Sequence, residues 1–193
     1  MKISTGLPLL FLFVFTLSTA FANGNKKPAV NNPKVSRVGE YKGYTEAAYK
    51  GYKYHSYYIP MRDSVKLAID VYLPKKLEAG KKVPTVLYLT RYVRSVQAKW
   101  PFNLIKDPVL TVVNEDEVKL FTSHGYACVV VDVRGTGASQ GNRSMEFSPE
   151  EVQDGKDIVD WIISQAWSSG KVGTTGVSYL GTTAEMLLVN QHP

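Results

Sequence analysis

Apolar and polar positions alternate in the early part of the chain and later group into longer apolar runs. Residues 65–73 alternate and stop at Pro74, which predicts a strand with one buried face. Residues 84–90 and 126–131 are more continuously apolar, as is typical of strands covered on both faces. The second of these runs, which ends at Asp132, should be the most buried strand of the chain.

Helices are predicted between and after these strands. Asn114 precedes three acidic residues that suit the positive end of a helix. Residues 148–151 read Ser-Pro-Glu-Glu, a capping box with proline at the first helical position, and that helix should run to about Gln165. Residues 171–177 predict a further strand, and residues 179–190 a third helix.

The order of these elements indicates the fold class. Buried strands that alternate with helices of about a dozen residues predict parallel strands joined by right-handed crossovers. The two early strands resemble a hairpin and predict an antiparallel start. We therefore expect an α/β fold, with a mostly parallel sheet and helices on both faces.

The first 22 residues have the pattern of a cleavable signal peptide. Lys2 supplies the positive start, residues 7–17 an apolar stretch, and residues 20–22 an Ala-Phe-Ala cleavage site. An apolar run of 11 residues is shorter than the roughly 20 needed to span a bilayer. We expect cleavage after Ala22, a secreted or periplasmic protein, and no stable membrane anchor.

Residues 23–53 form a polar, tyrosine-rich leader in which Tyr-Lys-Gly-Tyr occurs at 41–44 and again at 49–52. Two interpretations stay open. Tyrosines with interleaved lysines could be a stacking platform for sugars or bases, which would make the protein a non-catalytic secreted binding module. Alternatively, the tyrosines up to residue 58 belong to an edge strand, with one packed face and hydroxyls in water.

Charge and cysteine content argue against nucleic-acid binding and against a catalytic thiol. The formal net charge of +6 falls to +5 once Lys2 is removed and is spread along the 193 residues, so no nucleic-acid partner is expected. Cys128 is the only cysteine, so no internal disulfide can form. Because Cys128 lies in an apolar run, we expect a buried thiol without a catalytic role.

A glycine-containing loop, residues 132–141, follows the central strand. Gln140 stands where a dinucleotide fingerprint needs its third glycine, and the chain has no P-loop spacing. We expect a tight loop in which Arg134 pairs with a carboxylate. The histidines are isolated in sequence, so neither a metal site nor a cofactor is expected.

The strongest candidate chemistry lies where a predicted strand turns into a helix at Ser178. The free N–H groups and the dipole of a helix start stabilise negative charge, which makes Ser178 a candidate nucleophile and the Tyr179 N–H an oxyanion donor. The strict elbow pattern has glycine two residues on either side of the serine; Gly176 fits, and Gly181 comes one residue late. The structural alternative is an ordinary serine N-cap.

None of the three histidines is predicted to reach Ser178. His192 lies 14 residues later, about 21 Å along the helix that the serine begins. His124 precedes the central strand at the opposite edge of the sheet, roughly 20 Å away by strand rise. His55 lies in the early aromatic stretch.

From Met61 onward the chain resembles the family of Xaa-Pro dipeptidyl-peptidase-like, cocaine esterase-type serine hydrolases. The matching segments are residues 61–74, 131–141 and 154–181, in order and spacing. The family's nucleophile pattern, G-x-S-Y-x-G, accounts for the late Gly181. The resemblance implies an α/β-hydrolase fold truncated after the nucleophile helix, with residues 54–193 as the N-terminal part of that domain.

The resemblance also implies roles for individual residues. Ser178 would be the nucleophile, and the Tyr179 N–H and the Tyr92 hydroxyl would form the oxyanion hole; Arg91 stands where the family usually has proline. The triad acid and histidine follow the serine in this fold, so they are expected beyond residue 193, and these 193 residues alone should be inactive. The expected function is that of an exported serine hydrolase cleaving a small ester, amide or short peptide through an acyl-enzyme.

Overall fold

The computed structural model describes residues 38–41, 43, 45–97, 109–111 and 113–192. Residues 1–44 and 45–193 form two separate units. The described residues of the first unit include the exposed side chains of Val38 and Tyr41. The predicted signal peptide, residues 1–22, lies outside the described residues. No helix in the described ranges is long and apolar enough to cross a membrane.

The second unit contains seven described strands and three described helices. The strands are β1 (Tyr52–Pro60), β2 (Lys66–Pro74), β3 (Val83–Thr90), β4 (Ser95–Gln97), β5 (Val109–Thr111), β6 (Ala127–Asp132) and β7 (Ser168–Thr174). The helices are α1 (Glu115–Ser123), α2 (Pro149–Ser164) and α3 (Tyr179–Val189). Five strands form one sheet in the order β1-β2-β6-β3-β7, while β4 and β5 pair separately.

The sheet is mixed in the way the sequence predicts. β1 pairs antiparallel with β2, and β2 with β6. β3 lies parallel between β6 and β7. The apolar cluster on one face includes Leu87, Val129 and the α2 residue Ile158, and the cluster on the other includes Val130 and the α1 residue Val118. The prediction of an α/β fold with an antiparallel start and helices on both faces is therefore confirmed.

The predicted helix starts are also confirmed. The Asn114 side chain accepts a hydrogen bond from the backbone N–H of Asp116 at the start of α1. Ser148 accepts from Glu151 N–H in the same way at the start of α2. Cys128 is buried in β6, and burial, followed by the charge of Glu117, raises the pKa of its thiol to about 12, which fits the predicted non-catalytic role.

Two strand predictions are wrong in detail. β2 is buried on both faces, because Leu67, Ile69 and Val71 face the α2 side while Asp70 and Tyr72 on the opposite face are also covered. β7 begins three residues earlier than predicted and ends at Thr174. The three residues that follow Thr174 belong to the turn that leads into Ser178.

Arg134 lies two residues after the end of β6 and joins three parts of the fold. Its Nε and Nη2 donate to the two Asp154 oxygens at 2.9 and 2.6 Å, and its Nη1 donates to Asp63 Oδ2 at 2.6 Å. Arg62 Nη1 donates to Asp154 Oδ1 at 2.9 Å. The hydrogen bond from Arg134 lowers the pKa of the Asp63 carboxyl. The predicted pairing of Arg134 with a carboxylate is confirmed, and it fastens the β1–β2 turn and α2 to the end of β6.

We expect Asp154→Asn to lower the free energy of unfolding in urea by about 3–5 kcal/mol, because it leaves part of a buried guanidinium unpaired. Asp160→Asn is the matched control. Asp160 belongs to the same helix and binds Lys156 and His192, but its side chain is 47% exposed, so its loss should change stability by at most about 1 kcal/mol. Equal effects of the two substitutions would contradict a structural role for the buried pair.

Candidate active site

Ser178 occupies a strained turn between β7 and α3. Its backbone has φ 58° and ψ −124°, a left-handed conformation that costs a residue with a side chain on the order of 1–3 kcal/mol. The residue is exposed, and its side chain makes no capping hydrogen bond to the helix. Ser178 is therefore not an ordinary N-cap. Its side chain is exposed at the start of the helix and does not cap it.

The two glycines of the predicted elbow make this turn possible. A Cβ on Gly176 would overlap the backbone of Leu180, and a Cβ on Gly181 would lie 3.2 Å from the carbonyl oxygen of Gly176. The two glycines therefore allow the chain before Ser178 and the first turn of α3 to lie in close contact. A side chain at Gly176 would force the strand end and the helix start apart and change the direction of the Ser178 side chain.

Tyr92 is brought to Ser178 from the end of β3. Its backbone N–H donates to Thr90 Oγ1 at 3.0 Å, and Ser178 lies near enough to its phenol hydroxyl to influence the pKa of that hydroxyl. The hydrogen bond from Arg91, followed by that from Ser178, lowers the pKa of the Tyr92 hydroxyl. Tyr92 is 44% exposed, so a substrate can reach the hydroxyl that lies next to the serine.

Tyr179 is buried, and contacts on several sides fix its ring. The ring stacks on Phe147 with centroids 4.8 Å apart, its hydroxyl donates to Glu151, and Arg143 Nη1 donates to the hydroxyl oxygen at 3.0 Å. Burial, then the hydrogen bond to Glu151, raises the pKa of the Tyr179 hydroxyl. Because Tyr179 is the first residue of α3, its anchored side chain also fixes a backbone N–H that has no partner within the helix.

The charged groups around the two tyrosines were missed by sequence reasoning. Arg91 and Glu146 form an ion pair, and Arg143 Nη1 lies 3.8 Å from Glu151 Oε2. Only Glu151 carried a signal, as part of the capping box, and its carboxylate accepts from Tyr179. Arg91 and Glu146 are 55 residues apart in sequence, and no local pattern marks that pair.

An open groove of about 280 Å³ lies beside the Ser178 turn. Tyr92 forms one wall, and the residues just before Ser178 form another. The groove is lined by Tyr88, Tyr92, Val113, Glu117, Thr175, Gly176, Val177 and Leu180. Its lining is largely apolar, with one carboxylate, which suits a small organic group.

The histidines have other contacts. His192 Nε2 lies 2.8 Å from Asp160 Oδ1, and His124 Nδ1 lies 3.2 Å from Thr45 Oγ1. The His55 ring lies 6.1 Å from that of Tyr57 on β1. The described ranges contain no group of three His, Cys, Asp or Glu residues arranged to hold a metal ion.

The described tyrosines near the start of the sheet are engaged in the fold. Tyr52 packs edge-on against Tyr72 at 5.3 Å, Tyr54 donates to Asp70 at 3.1 Å, and the Lys81 ammonium lies 5.4 Å from the Tyr49 ring. β1 is an edge strand of the described sheet. These contacts agree with the edge-strand interpretation, although the Tyr54 hydroxyl binds a carboxylate instead of facing water alone.

The sheet order, the elbow and Tyr92 point to a hydrolase family, and comparison with known proteins decides which one. The family model for X-Pro dipeptidyl-peptidase (S15 family) matches residues 63–193. The chain belongs to this family. Its fold is the α/β-hydrolase fold, here in part: a solved α-amino acid ester hydrolase superposes with a TM-score of 0.56 at 28% identity, covering 89% of this chain and 27% of that one.

Two relatives illustrate the range of the family. The chain is 47% identical over 148 residues to a protein of Mycobacterium bovis named as a serine esterase, an alignment that covers 75% of this chain and 24% of that protein. It is 37% identical over 127 residues to cocaine esterase of a Rhodococcus species, covering 65% of this chain and 19% of the esterase. The S15 chain thus spans about a quarter or less of the length of these relatives.

The strain at Ser178 gives a prediction that distinguishes it from an ordinary N-cap. We expect Ser178→Gly to unfold in urea with a free energy about 1 kcal/mol higher than Ser178→Ala, because glycine adopts positive φ without strain, and this gain exceeds the entropy that glycine adds to the unfolded chain. Both variants lack the hydroxyl, so the comparison isolates the backbone. A glycine variant less stable than the alanine variant would show that the turn is not strained.

Proposed function

We propose that the protein is an exported serine hydrolase that cleaves an ester or amide bond through an acyl-enzyme on Ser178. The observation that carries the proposal is the exposed, uncapped Ser178 hydroxyl at the strained start of α3, with the Tyr92 hydroxyl close to it. An N-cap serine would direct its oxygen to the helix, whereas the Ser178 side chain makes no capping hydrogen bond.

The proposed reaction has two halves. Ser178 Oγ attacks the substrate carbonyl carbon while its proton passes to a general base, and the resulting oxyanion accepts hydrogen bonds from the Tyr179 N–H and the Tyr92 hydroxyl. Collapse of this intermediate breaks the ester or amide bond, and the protonated base gives its proton to the leaving alcohol or amine. Water, activated by the same base, then hydrolyses the acyl-serine.

Serine is a weak nucleophile at its own pKa and depends on that base. We infer that a histidine oriented by an aspartate supplies it, and that both lie after residue 193, in the order nucleophile, acid, histidine typical of this fold. The contacts of His124 and His192 with Thr45 and Asp160 support this inference. Residues 1–193 alone should therefore lack turnover.

The substrate class follows from the groove and from the relatives. A largely apolar groove of about 280 Å³ suits a small acyl or leaving group. The relatives are named as a serine esterase, cocaine esterase and Xaa-Pro dipeptidyl-peptidase. We propose a small ester, an amide or a short peptide as the substrate.

Labelling with a fluorophosphonate tests the nucleophile. The protein expressed from its complete gene should be modified at Ser178, located by peptide mass spectrometry, and Ser178→Ala should abolish the labelling. Ser164→Ala is the matched control and should label normally, because Ser164 is the last residue of α2 and its hydroxyl donates to the Trp161 carbonyl. Labelling that survives in Ser178→Ala would reject the assignment.

Export is tested separately, by the N-terminus of the mature protein. A positive start, a short apolar stretch and an Ala-Phe-Ala site predict cleavage after Ala22. Protein recovered from the periplasm or the medium of the expressing cells should begin at Asn23. A cell-associated product that retains Met1 would contradict export.

A further inference from the structure

Arg91 contacts both residues that are proposed to hold the oxyanion. Its guanidinium carbon lies 5.0 Å from the ring centroid of Tyr92 and 5.1 Å from that of Tyr179. Its Nη2 also donates to the Tyr92 hydroxyl oxygen at 3.4 Å. The two rings meet edge-on with centroids 6.1 Å apart, so one cation contacts both rings.

Acidic and basic neighbours hold Arg91 from behind. Arg91 Nη1 forms an ion pair with Glu146, and Glu146 Oε1 lies 3.9 Å from Nη2 of Arg143. Arg143 in turn donates to the hydroxyl of Tyr179. Glu146 therefore links the two arginines that contact the Tyr179 side chain.

We propose that Arg91 is a positioning residue that holds the Tyr92 hydroxyl and the Tyr179 N–H in register as the two oxyanion donors of Ser178. This inference rests on the proposed function. Tyr179 is already fixed by Phe147 and Glu151. Because Arg91 packs on this fixed ring, its contact with the more exposed Tyr92 orients the Tyr92 hydroxyl.

The same contact makes Tyr92 a stronger donor. A guanidinium N–H that donates to the phenol oxygen polarises the O–H bond, and hydrogen bonds arranged in a chain strengthen one another.

The alkaline side of the pH profile should report this contact. Arg91 lowers the pKa of Tyr92, and the hydroxyl can donate to an oxyanion only while it is protonated. Removing Arg91 should therefore raise this pKa and move the alkaline limb of kcat to higher pH. The ionisable groups near Tyr92 in the described residues include Tyr179 on α3 and, lining the same groove, Glu117 and Tyr88. Arg91→Met removes none of them, but it leaves Glu146 without its Arg91 partner, and that negative charge also favours a higher pKa of Tyr92.

The experiment compares Arg91→Met with the wild type, both expressed from the complete gene, using p-nitrophenyl acetate as the probe. We expect kcat at neutral pH to fall about tenfold, KM to change less than twofold, and the alkaline limb to move upward. The tenfold figure is a fraction of the roughly 10²–10³-fold loss that follows removal of a whole oxyanion donor. Arg91→Lys keeps the charge without the planar fork and should recover part of the loss.

Lys82→Met is the charge-matched control. Lys82 is exposed just before β3 begins, whereas Arg91 follows its end, roughly 25 Å away by strand rise. It should leave kcat and the pH profile unchanged. A double-mutant cycle with Tyr92→Phe completes the test: Arg91→Met should lower kcat far less in the Tyr92→Phe background, because the hydroxyl that it orients is gone.

The outcomes separate this inference from the proposed function. If the wild type is neither labelled by a fluorophosphonate at Ser178 nor active on the ester, the proposed function fails. If the wild type is labelled and active while Arg91→Met keeps its kcat and alkaline limb, only the role of Arg91 is overturned. The same holds if the Arg91→Met and Tyr92→Phe losses are fully multiplicative, or if Arg91→Met loses activity only in proportion to unfolded protein measured by circular dichroism.

Discussion

The close approach between the end of β7 and the start of α3 is the constraint on which the candidate site depends. Gly176 leaves no room for a side chain against Leu180, and the turn forces Ser178 into a left-handed backbone. Strain of this kind persists only where the surrounding structure over-determines it. Here the support comes from α3, where Leu180 packs into the core and Thr183 Oγ1 donates to the Leu89 carbonyl at 3.0 Å.

Buried ion pairs at the carboxyl ends of β3 and β6 position the loops that reach this turn. Arg94 donates to Asp132 through its backbone N–H at 2.5 Å and its Nη1 at 2.7 Å, and its Nε lies 2.9 Å from Asp70. Tyr92 is therefore held between the Thr90 hydroxyl and an anchored Arg94. Buried ion pairs add little net stability compared with apolar packing. We therefore infer that the main role of these pairs is to fix the path of the chain around Tyr92.

Local patterns were sufficient to predict much of this fold. The apolar runs of β3 and β6, the caps at Asn114 and Ser148 and the elbow at Ser178 each depend on residues close together in sequence. The two-sided burial of β2 could not be predicted in this way, because Asp70 in the alternating pattern looks solvent-facing until Arg94 covers it. The contacts of Arg91 could not be predicted either, because its partners Glu146 and Tyr179 lie 55 and 88 residues away in sequence.

Three proposed parts of the site, the nucleophile and the two oxyanion donors, come from neighbouring elements of this S15 chain. The proposed nucleophile and both proposed oxyanion donors are placed by two neighbouring parallel strands, β3 and β7, and by the helix that follows β7, so their geometry follows from sheet register and one turn. The groups that stabilise the oxyanion can therefore be assembled without the base, but serine remains a weak nucleophile until a base reaches it.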